Sequence, residues 1–362
     1  MTYSHRRQKV INLLAELDMD VLVFCQPENI RYLCGFRGSD GVLIVTSDQL
    51  VFMTDSRYTA QAYEEVSADC IAEYQIKTEG VITQLQTSVV TRIGFEAELA
   101  FGTVNEFQEK GDANWQWLHL KDELKSLRLH KSADEISCIA DAARLNAIGF
   151  AEVEAMIKPG VRESEIALAL EFSLRKLGAE EKAFDIIVAS GLRGAMPHGI
   201  ASDKVLREGE LVTIDFGCRL SGYHSDETVT FALGKVSEEL CTIYDTVLEA
   251  HDRALAAVAP GVALNELDRL ARNHISSCGY GDYFGHGLGH GVGLEVHEAP
   301  VVSPRSKAVA EEGMVFTIEP GIYVPGVGGV RIEDMVLVTA NGHQTLTKIP
   351  KTFRNILLKE EF

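Results

Sequence analysis

Leu211-Val-Thr-Ile-Asp215-Phe-Gly217 and Val315-Phe-Thr-Ile-Glu319-Pro-Gly321 are two β-branched apolar runs, each closed by an acid. Each has a second acid nearby, Asp226 within His224-Ser-Asp-Glu-Thr-Val-Thr230 and Glu333 within Val330-Arg-Ile-Glu-Asp334. Carboxylates in apolar strands are rarely buried unless they are paired or bound to a cation. One such acid reads most simply as a strand-edge or turn residue facing solvent. Four in mirrored positions read differently. Two strand-borne acids from each of two similar segments would meet at the centre of a duplicated fold. There they would repel one another strongly, even at an effective dielectric of about 20. Two divalent cations would offset the four charges and leave a bridging water easy to ionise.

Working outward, the same doubling recurs. Pro159-Gly-Val161 followed by Glu165-Ile166 returns as Pro260-Gly-Val262 followed by Glu266-Leu267, at a constant offset of 101. A five-residue match alone could be generic turn chemistry. Here each Pro-Gly turn follows one helix-like stretch, precedes another, and is succeeded by a strand-rich section. Ile166, Leu170, Leu174 and Leu177 share one face of the second stretch, and Gly178 supplies a stop. In the other copy Leu240, Ile243, Tyr244, Val247, Leu248, Ala254, Leu255 and Val258 form the stripe before the turn. The strand sections are expected at 211–217 with 226–233, and at 314–324 with 330–338. Two such halves facing each other would enclose a cleft.

Between the two acidic sections runs Phe284-Gly-His-Gly-Leu-Gly-His-Gly-Val-Gly-Leu-Glu-Val-His-Glu298. Glycine at every second position from Gly285 to Gly293 fits backbone packed closely against something. It is not a phosphate loop, because no Lys-Ser/Thr follows and the spacing is not GxGxxG. His286 and His290 have the i, i+4 spacing of helical zinc proteases, but no Glu follows His286 and so much glycine disfavours a helix. In extended backbone the two point to one face, and either could reach a metal. A lone histidine is more often structural; His286, His290 and His297 together favour function. Imidazole with carboxylates is a hard-to-borderline set suited to manganese, cobalt, iron or zinc.

Before residue 128 the chain reads as a separate α/β segment. Val10, Leu13, Leu14 and Leu17 recur at helical spacing, whereas Asp20–Cys25 and Val42–Thr46 read as buried strands. Further strands are expected near 51–54 and 92–96, with a helix around 58–66. Ser132-Ala-Asp-Glu135 supplies an N-cap and acidic first turn for a helix just beyond the boundary. The expected domains are 1–127 and 128–362.

Composition bounds the function. The 362 residues include 34 Lys and Arg against 53 Asp and Glu, a net charge of −19 that argues against nucleic-acid partners. Apolar residues at 46% and charged residues at 24% are those of a soluble globular protein. No apolar run reaches the ~18 residues of a membrane helix, and the N-terminus lacks a signal-peptide pattern. Seven scattered cysteines without CxxC suggest free thiols in a reducing, cytoplasmic setting.

The acids and histidines, in this order, resemble the metallopeptidase clan of methionine aminopeptidase, aminopeptidase P and prolidase, the "pita-bread" fold. The resemblance implies an α+β protein, with an N-terminal creatinase-like α/β domain followed by a duplicated pita-bread catalytic domain. It spans roughly 128–350 and places all five metal ligands, Asp215, Asp226, His290, Glu319 and Glu333. Asn29-Ile-Arg-Tyr-Leu-Cys-Gly-Phe36 and Thr54-Asp-Ser-Arg-Tyr58 look like the extra domain of the Xaa-Pro branch. Within that branch His198, His286, His297 and Arg331 correspond to further active-site residues. One departure is Val229: many relatives have Ser-Asp-x-Thr-Arg-Thr where this chain has Ser225-Asp-Glu-Thr-Val-Thr230. The change reads as altered electrostatics around the ligands or altered oligomer contacts.

The resemblance implies hydrolysis of the bond between an N-terminal residue and a following proline, using two divalent metals, manganese first. Asp226 and Glu333 would bridge the metals, Asp215 would serve one, and His290 with Glu319 the other. Glu319 would also shuttle the proton, and His198 and His297 would hydrogen-bond the substrate. Arg331 reads equally as a salt-bridge partner behind the ligands. His286 would contact substrate. An Xaa-Pro aminopeptidase is favoured slightly over a prolidase restricted to free dipeptides, and a homodimer is expected. The rivals are non-peptidase enzymes of the fold, such as creatine amidinohydrolase, and metal-free binding proteins, which typically lose some of the five ligands.

Overall fold

The structure is a computed structural model that describes residues 3–356. The chain forms two compact units, one up to Arg128 and one from Leu129. The first is built on a mixed six-stranded sheet in the order Cys70–Glu73, Leu50–Thr54, Val42–Thr46, Val21–Phe24, Arg92–Glu96, Gln116–Leu120. Its apolar strands fill a core with Val21, Val23, Ile44 and Ile93. Glu96 turns back to accept the backbone N–H groups of Cys25 and Gln26 and the amide of Asn29, which fixes the start of helix Pro27–Cys34.

The second unit is doubled. Helices Ala133–Val153 and Glu163–Lys176 precede a three-stranded sheet of Ile187–Ser190, Glu210–Phe216 and Glu227–Leu233. Helices Glu238–Ala256 and Leu264–Ser277 precede a five-stranded sheet that includes Gly289–Gly291, Val315–Ile318 and Asp334–Thr339. Ser132 opens the first helix, with Glu135 accepting from its backbone N–H at 2.9 Å. Glu163–Lys176 and Leu264–Ser277 are both 14 residues long and 101 positions apart. Both follow a glycine with positive φ, Gly160 at 94° and Gly261 at 84°. The turns are docked alike: Gly160 donates to the Leu206 carbonyl and Gly261 to that of Ala310. Leu206 and Ala310 in turn donate to the carbonyls of Val161 and Val262.

Each half has its own core. The first gathers Leu170, Ile214, Phe216 and Phe231; the second Leu267, Phe316, Ile318 and Val336. Fully burying one such side chain contributes about 1.5–3 kcal/mol. Residues 349–356 return to the first half. Ile349 joins its core, Arg354 and Ile356 pair with the backbone of Ala232, and the Lys351 ammonium lies 2.7 Å from Glu227.

The strand-rich sections of the second half are present and subdivided. The sections at 314–324 and 330–338 are not continuous strands. Each breaks in two, Val315–Ile318 from Gly321–Val324 and Gly328–Arg331 from Asp334–Thr339, and the pieces lie in different sheets. Pro320 has no N–H to extend the ladder, so the strand ends there. Glu319 and Glu333 sit at the two breaks. Among the described residues, no helix is long and apolar enough to cross a membrane.

Candidate metal centre

Alternation along the strands decides which side chains meet. On Glu210–Phe216, Val212, Ile214 and Phe216 enter the core, so Thr213 and Asp215 face the other way. On Glu227–Leu233, Val229, Phe231 and Leu233 are core, and Thr228 and Thr230 share the face of Asp226. The Thr213 and Thr230 hydroxyls meet at 3.0 Å. The second half repeats the arrangement: Phe316 and Ile318 are core, and the Thr317 hydroxyl donates to Glu319 at 3.0 Å. Asp215 and Glu319 are 104 positions apart and Asp226 and Glu333 107, so each acid of one half has its counterpart in the other. Glu333 donates its backbone N–H to the Thr228 carbonyl at 3.2 Å, and Thr230 donates to the Arg331 carbonyl at 2.8 Å. These bonds bring the two sets of acids together.

Asp226, His290 and Glu333 each offer a ligand atom within 4.8 Å of the others. His290 Nε2 lies 3.3 Å from Glu319 Oε1 and 3.6 Å from Asp226 Oδ2. Asp215 is held by Arg331, whose Nη2 donates to Oδ2 at 2.5 Å. Arg331 also donates to the Tyr323 hydroxyl, the Pro197 carbonyl and Thr228 Oγ1. Thr228 in turn donates to Glu333 at 2.6 Å.

The acids respond to burial unequally. Burial pushes Asp226 and Glu333 well above the usual carboxylate range, and neighbouring carboxylates push them further. Burial also raises Asp215, against the opposing pull of the Arg331 guanidinium. For Glu319 burial is outweighed by the hydrogen bond and charge of His290, which bring it down to about 2. His290 is raised: burial alone would lower it, but Glu319 more than compensates.

These residues fit divalent cations. Among the described residues, Asp215 Oδ1 is buried without a hydrogen-bond partner, and Asp226 and Glu333 are buried with His290 3.6 Å from Asp226 and the Thr228 hydroxyl on Glu333. Such oxygens are costly unless something positive completes them. The donor set, four carboxylates and an imidazole, matches the borderline divalent metals.

The centre opens into a cavity of about 830 Å³. Asp215, Asp226, His290, Glu319 and Glu333 line it, and so do His198, His286, His297 and Arg331. The two glycine-spaced histidines separate in role. His290 reaches the carboxylates, whereas His286 Nε2 bonds the Tyr323 hydroxyl at 2.9 Å. His297 packs on His290, with ring centroids 3.9 Å apart. The glycines between them are needed: a Cβ on Gly289 would stand 1.9 Å from the Thr317 carbonyl oxygen. Phe184, Ile187, Ile200 and Val301 give the cavity an apolar wall.

Two functional residues escaped the sequence reading, Tyr323 and Thr228. The signal available for each was strand parity, Thr228 lying two residues from Asp226 and Tyr323 four from Glu319. Val229 requires a correction. It lies in the first half's core with Leu170, Ile214 and Phe231, on the strand face away from Asp226. It is buried within the single chain and therefore alters packing rather than ligand electrostatics or oligomer contacts.

Comparison with known proteins agrees with this geometry. Residues 137–340 match the family described as metallopeptidase family M24, and residues 6–130 match the Creatinase/Prolidase N-terminal domain. The chain is 40% identical over 346 residues to the Xaa-Pro dipeptidase of Pyrococcus furiosus, covering 95% of this chain and 98% of that one. A solved Xaa-Pro dipeptidase from Bacillus anthracis superposes with a TM-score of 0.94 at 39% identity, covering 97% and 99% of the two chains. The X-Pro aminopeptidase from Thermotoga maritima gives 0.85 at 36% identity, covering 94% and 99%.

Proposed function

Since the chain belongs to metallopeptidase family M24 and carries a Creatinase/Prolidase N-terminal domain, we propose that it is an Xaa-Pro dipeptidase. The observation that carries this reading is the near end-to-end likeness to Xaa-Pro dipeptidases in both sequence and structure. The sequence alone leaned toward an aminopeptidase. The relatives weigh the other way, with the aminopeptidase a more distant structural match.

Asp215, Asp226, His290, Glu319 and Glu333 would hold two divalent cations, with manganese expected first and cobalt, zinc or iron as alternatives of the same class. When bound, such ions neutralise the carboxylates and make a water acidic enough to attack a carbonyl near neutral pH. Asp226 and Glu333 would serve both ions, Asp215 one of them, and His290 with Glu319 the other. Glu319, 3.3 Å from His290, would accept the water's proton and return it to the proline nitrogen as the C–N bond breaks. That nitrogen carries no hydrogen in the peptide and leaves as a secondary amine only once protonated. His198 and His297 donate hydrogen bonds to the substrate carbonyl or the departing nitrogen, and His286 borders the substrate while Tyr323 holds its ring. Arg331 holds Asp215 in place and opposes the effect of burial on it. The enzyme is taken to be a homodimer, which light scattering would test.

Product analysis with manganese-loaded protein on Ala-Pro and Ala-Pro-Ala tests the substrate class. Alanine is expected from the dipeptide alone. Release from the tripeptide would restore the aminopeptidase reading, and release from neither would remove the proline-peptide reading altogether.

A further inference from the structure

Two of the histidine-bearing walls of the cleft hang from buried carboxylates that the chemistry itself does not use. In the first half, Glu163 is fully buried at the start of helix Glu163–Lys176. Its Oε1 accepts from Ser190 N and Oγ, both at 2.8 Å. Its Oε2 accepts from Arg193 Nε at 2.9 Å, Ser202 N at 3.2 Å and Ser202 Oγ at 2.7 Å. Ser190 and Ser202 are the two ends of one loop, and its middle supplies Pro197, His198 and Ile200 to the cavity. Arg193 braces the loop from within by donating to the Ile200 carbonyl at 2.6 Å. One carboxylate thus closes the loop at both ends with charge-assisted bonds.

The second half does the same with a different residue. Asp268, buried on helix Leu264–Ser277, holds Arg272 in a two-pronged pair at 2.8 and 2.9 Å. It also accepts from Leu288 N at 3.1 Å. Arg272 donates to the carbonyls of Phe284 and His286, at 2.8 and 2.7 Å. The loop that carries His286 is therefore gripped before and after the ring. By the 101-residue offset Glu163 corresponds to Leu264, and Asp268 to Ala167. The two staples are not copies of one ancestral residue. Each half places its charge separately, on the same helix and toward the same kind of loop. Buried charges add little net stability beside apolar packing of the same volume, so their common target needs another account.

We propose that Glu163 and Asp268 are positioning residues: Glu163 sets His198, and Asp268 through Arg272 sets His286, against the substrate. The kinetic part of this proposal rests on the proline-dipeptide reading, but the structural part does not. The test uses Glu163→Gln and Asp268→Asn in the metal-loaded, full-length protein. Amide hydrogen exchange should rise across 190–202 in Glu163→Gln and stay unchanged across 284–288, with the reverse in Asp268→Asn. On Ala-Pro, each variant should lose about 10–100-fold in kcat/KM with bound metal unchanged, the scale expected of an ångström of misplacement. Glu163→Gln added to His198→Ala should cost no more than His198→Ala alone, because the carboxylate acts through that histidine. Additive losses, unlocalised exchange or full activity would overturn the proposal. If Glu163→Gln does not fold, Arg193→Ala removes only the bonds to Glu163 and to the Ile200 carbonyl and must show the same localised exchange. If the unaltered protein cleaves no proline peptide, the functional reading fails, and the exchange pattern still decides the positioning.

Discussion

The two halves of the catalytic unit solve one electrostatic problem with different cations. Asp215 and Glu319 occupy matching positions, and burial pushes the pKa of each upward. Glu319 is balanced within its own half by His290, on the neighbouring strand. The corresponding place in the first half is Ala189, which faces Thr213 as His290 stands against Thr317. With no imidazole there, Asp215 takes its counter-charge from Arg331 of the second half. Duplication supplied the carboxylates, and divergence decided which cation faces each. The central acids, Asp226 and Glu333, are served more thinly: His290 lies 3.6 Å from Asp226, and the Thr228 hydroxyl donates to Glu333.

Replacing a central acid should break this scheme most completely. Glu333→Gln is expected to lose activity by about 10³-fold or more and to bind less metal in a direct assay of content. Arg331→Met tests whether the first half depends on its borrowed cation. It should cost roughly 10–100-fold in metal affinity by titration, the range of a lost partner behind a ligand. If the affinity is unchanged, Arg331 is only packing.

The pH dependence of stability separates the central acids from Glu319 in the metal-free protein. Asp226 and Glu333 have folded-state pKa values raised well above the ordinary range. Their contribution is full below about pH 4 and is lost as pH rises through the raised values. Glu319, held at about 2, contributes in the opposite sense, and its share is lost as pH falls toward that value. Thermal melts of metal-free protein should show Tm falling from mildly acidic to alkaline pH, and Glu333→Gln should flatten that slope. The smallest effect should come from Val229→Ala. It should lower stability by about 2 kcal/mol in denaturant melts and leave kcat/KM intact, because the side chain faces away from the centre.

Much of this was legible from local pattern. Acids closing apolar strands, paired Pro-Gly turns and alternating glycines are features of a few adjacent residues, and each left its mark in the chain. Tyr323 and Thr228 were not legible, because their importance comes from register. Tyr323 matters because it meets His286 and Arg331, and Thr228 because Glu333 of the other half lands beside it. Parity could also have corrected Val229, one step from Thr228 and so on the opposite face. The break at Pro320 was a readable signal that the apolar continuity of 314–324 masked. Strands Cys70–Glu73 and Gln116–Leu120 passed unread because edge positions leave them mixed in polarity and partly exposed.

The return of residues 349–356 to the first half has a consequence for how the enzyme comes into being. Glu227, adjacent to Asp226, is buried beside Lys351, 124 residues later in the chain. During translation the strand that follows Asp226 is made well before residues 351–356, which supply the counter-charge of Glu227 and part of the strand's backbone pairing. Contacts of such long sequence separation also form slowly. A nascent chain therefore holds no finished peptidase centre before residue 351 has emerged.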